Sequence, residues 1–175
     1  DLGGKPVVQH VWERARQVRQ AARVVLLTDS EEVATVARGF GAEVLMTDPA
    51  CPSGTARMAS VIERLPGDFF LNVQGDEPLM DPVLVASVAQ LLQSTPAASM
   101  STAAHAITDV ADFTNPNVVK VVLDQAQLAL YFSRAPIPWA RWQHPRHSKP
   151  AFPSTSKAHR HLRLQGCFFK SLSPT

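Results

Sequence analysis

Three short groupings in this 175-residue chain combine residue types that could do chemistry. The first is Val73-Gln74-Gly75-Asp76-Glu77-Pro78, which follows the apolar run Phe69-Phe70-Leu71. A strand that delivers Asp76 and a neighbouring Glu to a sheet rim, with a glycine allowing close backbone approach, suits magnesium and phosphate. Magnesium takes one or two carboxylates together with phosphate oxygens and water. The same residues also make an ordinary surface turn. The second grouping is Ser53-Gly54-Thr55 with Arg57. Amides at a helix start, two hydroxyls and a guanidinium can hold an anion or a nucleotide, and the plain alternative is an N-cap. The third is Asn115-Pro116-Asn117-Val118-Val119-Lys120, followed by Tyr131-Phe132-Ser133-Arg134. Lys120 alternates with Val119 and Val121, so its side chain is expected to face a cavity or solvent. With Arg134 nearby, a pair that answers a carboxylate is the sharper reading.

Other reactive residues fit their surroundings without special chemistry. His144, His147, His159 and His161 occur as close pairs but lack a supporting carboxylate or cysteine pattern, and His10 and His105 fall within regular elements. Cys51 has no evident base partner. No Gly-x-Gly-x-x-Gly, Walker loop or Gly-x-Ser-x-Gly occurs.

The elements that must position these groups are legible from periodicity. After Pro6, residues Val7, Val8, Val11, Ala15 and Val18 recur at helical spacing. Arg23 to Thr28 reads as a buried strand, and Ser30-Glu31-Glu32 as the start of a helix that ends at Gly39. Ala42 to Met46 is a second strand, and Ser53 opens a helix that is expected to run towards Leu65. Asp68 to Val73 is a third strand. Asp81-Pro82 is an N-cap with proline at the first helical position, before Leu84, Val85, Val88, Leu91 and Leu92. Strand-like runs return at 99–104, 118–123 and 128–132. Alternating strands and helices predict an α/β fold with a mostly parallel sheet, in which ligands bind beyond the carboxyl ends of the strands.

Composition narrows the classes of function. At 45% hydrophobic and 18% charged residues the chain is not disordered overall, and its length suits one domain of roughly 100–150 residues or a little more. Seventeen basic against fifteen acidic residues argue against a dedicated nucleic-acid binder. Apolar runs fall far short of the ~20 residues of a membrane span, and no charged-then-apolar leader precedes them. Two cysteines are compatible with the reducing cytoplasm.

Taken in order, Gly4-Lys5-Pro6, Thr28-Asp29, Ser53-Gly54-Thr55, Asn72-Val73-Gln74-Gly75-Asp76-Glu77-Pro78, Asn115 to Val122 and Leu130-Tyr131-Phe132-Ser133-Arg134-Ala135-Pro136-Ile137-Pro138-Trp139 resemble the 3-deoxy-manno-octulosonate (KDO) cytidylyltransferases, or CMP-KDO synthetases. The resemblance covers residues 1 to about 140. It implies a Rossmann-like sheet of the nucleotide-sugar transferase type and transfer of CMP from CTP to KDO with release of pyrophosphate, for lipopolysaccharide assembly. It further implies Mg2+ on Asp76, the nucleotide beside Gln74, Arg57 and Ser53, and the sugar beside Lys120, Tyr131, Ser133 and Arg134. A sialic-acid cytidylyltransferase and a non-catalytic nucleotide-binding module are the alternatives.

The departures from that pattern generate expectations too. The family opens with a strand and a basic phosphate-binding loop, carries a second metal aspartate near its C-terminus, and dimerises through its C-terminal half. None of these matches a segment here, so an incomplete sheet with unpaired strand edges and an inactive chain are expected, while the family itself implies a homodimer. Residues 1–139 form the expected cytidylyltransferase part, and 140–175, crowded with prolines at first, an irregular tail. Read one nucleotide later with permitted codons, Lys157 to Pro174 can spell Lys-His-Ile-Gly-Ile-Tyr-Gly-Tyr-Lys-Ala-Ala-Phe-Leu-Lys-Ala-Tyr-Pro, close to a family motif. This predicts a change of reading frame between about Trp139 and Lys157. The genomic sequence checks it, and a +1 frame without that motif refutes it.

Overall fold

The structure, a computed structural model, describes residues 1–138 and the backbone of Leu162–Lys170. Its elements in chain order are α1 (Val7–Ala15), β1 (Val25–Thr28), α2 (Glu31–Gly39), β2 (Glu43–Met46), α3 (Gly54–Ala59), a single 3₁₀ turn (Ile62–Arg64), β3 (Phe69–Asn72), α4 (Pro82–Ser94), β4 (Met100–Ala106), α5 (Val110–Thr114), β5 (Lys120–Leu123), β6 (Ala129–Ser133) and β7 (Leu162–Lys170). They fall into two compact units, Asp1–Thr102 with Gly166–Thr175, and Ala103–Gln165.

In the first unit, β1 and β2 pair in parallel from Val25↔Glu43 to Thr28↔Met46. A parallel pair needs a crossover, which α2 supplies. Ala34 and Ala37 are 0% exposed because α2 lies directly on the two strands, where only small side chains fit. Ser30 starts this helix by accepting the Val33 N–H, and Glu31 and Glu32 occupy its first turn. Helix α1 buries Val11, and Val18 just beyond it, while Trp12 meets Phe40 at the end of α2 with ring centroids 5.2 Å apart. Helix α4 buries Val85, Val88, Ala89 and Leu92, one helical stripe, and packs on β3. Strand β3 pairs antiparallel with the end of β7, from Phe69↔Lys170 to Asn72↔Cys167.

The helix expected from Ser53 towards Leu65 is shorter than its apolar spacing suggests. Helix α3 stops at Ala59, where the Ser60 hydroxyl donates back to the Arg57 carbonyl, and a 3₁₀ turn follows. A serine that bonds its own turn competes with helix continuation. Strands β1 and β3 are half-buried rather than buried. They border a cavity of about 540 Å³, also lined by Val8, Val11 and Trp12.

In the second unit, β5 and β6 form an antiparallel hairpin from Lys120↔Ser133 to Leu123↔Ala129. Asp124 closes its turn, its backbone N–H donating to the Leu128 carbonyl at 2.9 Å and its Oδ1 accepting the Leu128 N–H at 2.8 Å. The beginning of β7 pairs with β5, and Ile107, Phe113 and Val118 form a small buried cluster. A short loop cannot return a strand in parallel, so β5 and β6 pair antiparallel, unlike β1 and β2. The irregular tail expected over 140–175 is corrected at Leu162–Lys170, which is a strand. Its Leu-Arg-Leu-Gln alternation carries little signal until β3 and β5 supply partners. The proposed frame change, between Trp139 and Lys157, lies outside the described residues.

Two outcomes follow from caps and charges. Asp81 caps α4 by accepting the Val83 N–H at 2.9 Å, so Asp81→Ala is expected to cost about 1 kcal/mol and lower the thermal midpoint by about 2–4 °C. Arg23 Nε donates to Glu43 Oε2 at 2.8 Å, and a second N–H reaches the other oxygen. This bond holds the Glu43 carboxyl below the usual glutamate range. The stabilisation is present above the ordinary glutamate pKa and is lost as pH falls through the lowered folded value. Melting curves of wild type and Glu43→Gln should therefore differ at pH 7 and converge in acid. A gap that survives acidification contradicts the assignment.

Candidate functional site

The carboxyl ends of β1, β2 and β3 and the start of α3 meet at one rim of the first unit. Arg57, on α3, sends its guanidinium to the Asp29 carboxylate at 3.2 Å, and also donates to the Thr47 hydroxyl. Asp29 follows β1 and Thr47 follows β2, so one side chain ties the ends of both strands to the helix. The Arg57 side chain is 19% exposed and lines the cavity. In this structure its described partners are protein groups.

Gln74 stands two residues beyond Asn72 and donates from Nε2 to Asn72 Oδ1 at 3.0 Å, while Asn72 Nδ2 reaches Thr55 Oγ1 at 3.4 Å. Residues at i and i+2 of an extended stretch share a face, which explains why these amides meet. The Gln74 carboxamide presses against Gly54. A Cβ there would lie 2.8 Å from Oε1 and 3.0 Å from Nε2. A side chain at 54 would therefore have to displace the end of the Gln74 side chain. Gly75 is different: a Cβ would meet only Val8 Cγ2 at 3.9 Å, and its φ is not positive. The fold places no demand for glycine at 75.

Asp76 sits on the loop after β3 with its side chain exposed. That loop is pinned by Glu77 N–H to the Gln74 carbonyl at 3.3 Å, by Met80 N–H to the Glu77 carbonyl at 3.1 Å, and by Arg14 to the Met80 carbonyl at 3.3 Å. No ion pair engages the Asp76 carboxylate among the described residues, so a hard oxygen donor faces solvent from a fixed loop. Ser53 accepts the Ala56 N–H at 3.1 Å and so acts as the N-cap of α3, with its hydroxyl hydrogen left to donate. Arg57, Gln74 and Gly54 line the cavity, whose volume falls in the range of about 300–1,000 Å³ typical of ligand pockets. Ser53 and Asp76 lie on exposed stretches and do not line it.

The third grouping lies in the second unit. Tyr131 is 61% exposed on β6 and shares a face with Ser133, whose Oγ accepts the Ala135 N–H at 3.0 Å. Arg134 is exposed, and one of its terminal nitrogens donates to the Pro116 carbonyl at 2.9 Å. Lys120 departs from the expected orientation. It faces neither solvent nor an open cavity but is 0% exposed, its ammonium donating to the carbonyls of Asn115, Val118 and Arg134. Strand alternation shows that a side chain leaves the apolar face, not what it meets there.

Other residues have local partners. His10 is bonded to the Leu2 carbonyl and His105 to the Ala106 carbonyl, and Cys51 Sγ lies 3.9 Å from Ser60 Oγ. The remaining histidines lie outside the described residues. Sequence reading included Gly54 in its second grouping but gave no role to Asn72, Asp29 or Thr47 at the rim. Their one sequence signal is position, since each stands at or just beyond a strand end or at a helix start.

Comparison with known proteins gives a consistent pattern. The profile of the cytidylyltransferase family matches residues 1–163. A 3-deoxy-manno-octulosonate cytidylyltransferase of Histophilus somni (strain 2336) is 54% identical over 146 residues, 82% of this chain and 56% of the relative. Its counterpart in Cellvibrio japonicus (strain Ueda107) is 45% identical over 167 residues, 94% of this chain and 65% of that protein. A solved structure of a CMP:2-keto-3-deoxy-manno-octonic acid synthetase complexed with CTP superposes with a TM-score of 0.81 at 37% identity, covering 97% of this chain and 65% of that one. The chain thus spans between half and two thirds of these relatives.

The two glycines should respond differently to substitution. Gly54→Ala is expected to displace the Gln74 carboxamide and shift its side-chain NH₂ resonances in an amide NMR spectrum, whereas Gly75→Ala should leave them in place. Unmoved Gln74 resonances in Gly54→Ala contradict the close contact.

Proposed function

Because the chain belongs to the cytidylyltransferase family, we propose that its site serves transfer of CMP from CTP to KDO, with release of pyrophosphate. The observation that carries this reading is the rim after β3, where an Asp76 carboxylate without an ion pair among the described residues stands on a pinned loop beside an uncrowded glycine. Absence of a side chain at Gly75 then serves a ligand's approach to the backbone. Gln74 and Arg57 are among the polar residues that line the cavity beside it, and Ser53 keeps a hydroxyl donor near the same helix start. The names of the relatives and of the CTP-bound neighbour support the choice of nucleotide and sugar.

In this reading Gln74 receives the nucleotide at an amide already fixed by Asn72 and Gly54, so little side-chain entropy is lost on binding. Ser53 hydrogen-bonds the nucleotide. Arg57 holds the rim together and presents positive charge to it through its contacts with Asp29 and Thr47. Asp76 is the residue that would hold Mg2+. One carboxylate with phosphate oxygens and water is a sufficient donor set, and that ion would neutralise charge developing on the phosphates. Tyr131, Ser133 and Arg134 form the sugar side, where the guanidinium answers the KDO carboxylate and Lys120 lies beneath. Chemically, the anomeric hydroxyl of KDO attacks the α-phosphorus of CTP. A new oxygen–phosphorus bond forms, the bond to the β-phosphate bridge breaks, pyrophosphate leaves with that electron pair, and the hydroxyl proton passes to solvent. The product would feed lipopolysaccharide assembly from the cytoplasm. No helix among the described residues is long and apolar enough to cross a membrane.

Pyrophosphate release from CTP, KDO and magnesium is the test. Turnover is expected not from this chain itself but from a version carrying the family's phosphate loop and C-terminal segment. In that version Asp76→Asn is expected to lower it roughly 100-fold or more, and in this chain to leave the thermal midpoint unchanged, since the side chain is exposed and makes no ion pair among the described residues. Preference for sialic acid over KDO would reassign the sugar. CTP binding with no pyrophosphate release under any condition would make the chain a nucleotide-binding module.

A further inference from the structure

Lys120 opens β5 with 0% of its surface exposed. A lysine ammonium carries three N–H donors and no acceptor. All three find carbonyl oxygens: Asn115 at 2.7 Å, Val118 at 2.9 Å and Arg134 at 2.8 Å. No donor remains for a ligand. The described residues give this cation no carboxylate partner, and the charge that acts on it most clearly is Arg134, of the same sign. Burial, and then that neighbour, hold its pKa below the usual lysine value.

Burying a cation beside another cation is unfavourable, and an uncharged side chain of similar length would fill the place without that penalty. What the ammonium alone can do is join backbone. Two of its acceptors belong to the turn before β5, where Asn117 N–H also bonds Asn115 Oδ1 at 2.9 Å and Val118 N–H bonds the Asn115 carbonyl at 3.1 Å. The third acceptor is residue 134, just past β6. A return bond runs the other way, from Arg134 to the Pro116 carbonyl at 2.9 Å. The turn and the end of β6 are therefore tied twice, once by each cation, in opposite directions. Arg134 keeps N–H groups beyond the one on Pro116.

We propose that Lys120 is a positioning residue: its buried ammonium locks the Asn115–Val118 turn to the backbone of Arg134, and thereby sets the direction in which the Arg134 guanidinium faces an anionic ligand. The part concerning the ligand rests on the sugar-side reading given above. The clasp itself does not.

Amine labelling of the unaltered chain, read by mass spectrometry, separates the roles. The clasp predicts that Lys120 resists labelling with or without KDO while exposed Lys5 reacts. Labelling of Lys120 that KDO suppresses would make it a ligand and overturn the proposal. Lys120→Met should speed amide exchange of Val118, whose acceptor shares the clasp, and weaken KDO binding about tenfold or more, as expected for loss of a bond to a charged group, with CTP binding unchanged. In an Arg134→Ala background the same substitution should add nothing further to the loss of KDO binding; additive losses would mean that Lys120 acts on the sugar directly and would overturn it. If no variant, nor the wild type, binds KDO, the sugar reading fails, and labelling and exchange still decide the clasp. Unchanged Val118 exchange in Lys120→Met refutes it outright.

Discussion

The rim of the first unit depends on one guanidinium. Arg57 rises from the middle of a six-residue helix and reaches Asp29 and Thr47, the residues that follow β1 and β2. A helix of that length has little stability of its own. Its orientation comes from this strut, from the Ser53 cap, and from Met58 buried beneath it. Because the strut fixes where α3 begins, it also fixes Gly54, against which the Gln74 carboxamide lies. Withdrawal of Arg57 would leave the Asp29 carboxylate without its ion-pair partner and release the helix start from both strands.

The second unit solves a similar problem with different chemistry. It has a short hairpin, a single turn or so of helix and a small apolar cluster of Ile107, Phe113 and Val118. Proline at 116 offers no N–H, and the carbonyls of the Asn115-Pro116-Asn117 turn need donors. Lys120 and Arg134 supply them. The result is a polar clasp beside the buried Val118 and Val121.

Both devices use side chains to satisfy or fix backbone where strands end, and strand ends are where α/β folds present their ligands. A strand end is also where the regular ladder stops providing hydrogen bonds, so the groups that replace it determine the precision of the site. Asn72 and Gln74 show this on a small scale. The strand delivers them to one face, and their mutual hydrogen bond holds them after the ladder has ended.

The sequence by itself determined the helix starts, the parallel β1–α2–β2 crossover and the placing of Gln74 and Asp76 after a strand, because caps, prolines, periodicity and turn residues act over a few neighbours. Ser30, Ser53 and Asp81 cap the helices their residue types announce. The family was also legible, in ordered motifs that outlast any single residue's ambiguity. Only the tertiary structure decided that Lys120 turns inward, that the Gln74 carboxamide lies against Gly54 while Gly75 is uncrowded, that Arg57 binds the ends of two strands, and that Leu162–Lys170 is a strand. The physical reason is common to all four. Each outcome depends on a partner distant in sequence or on the space left by other elements, and neither residue type nor spacing encodes which carbonyl, amide or strand edge will be there to meet it.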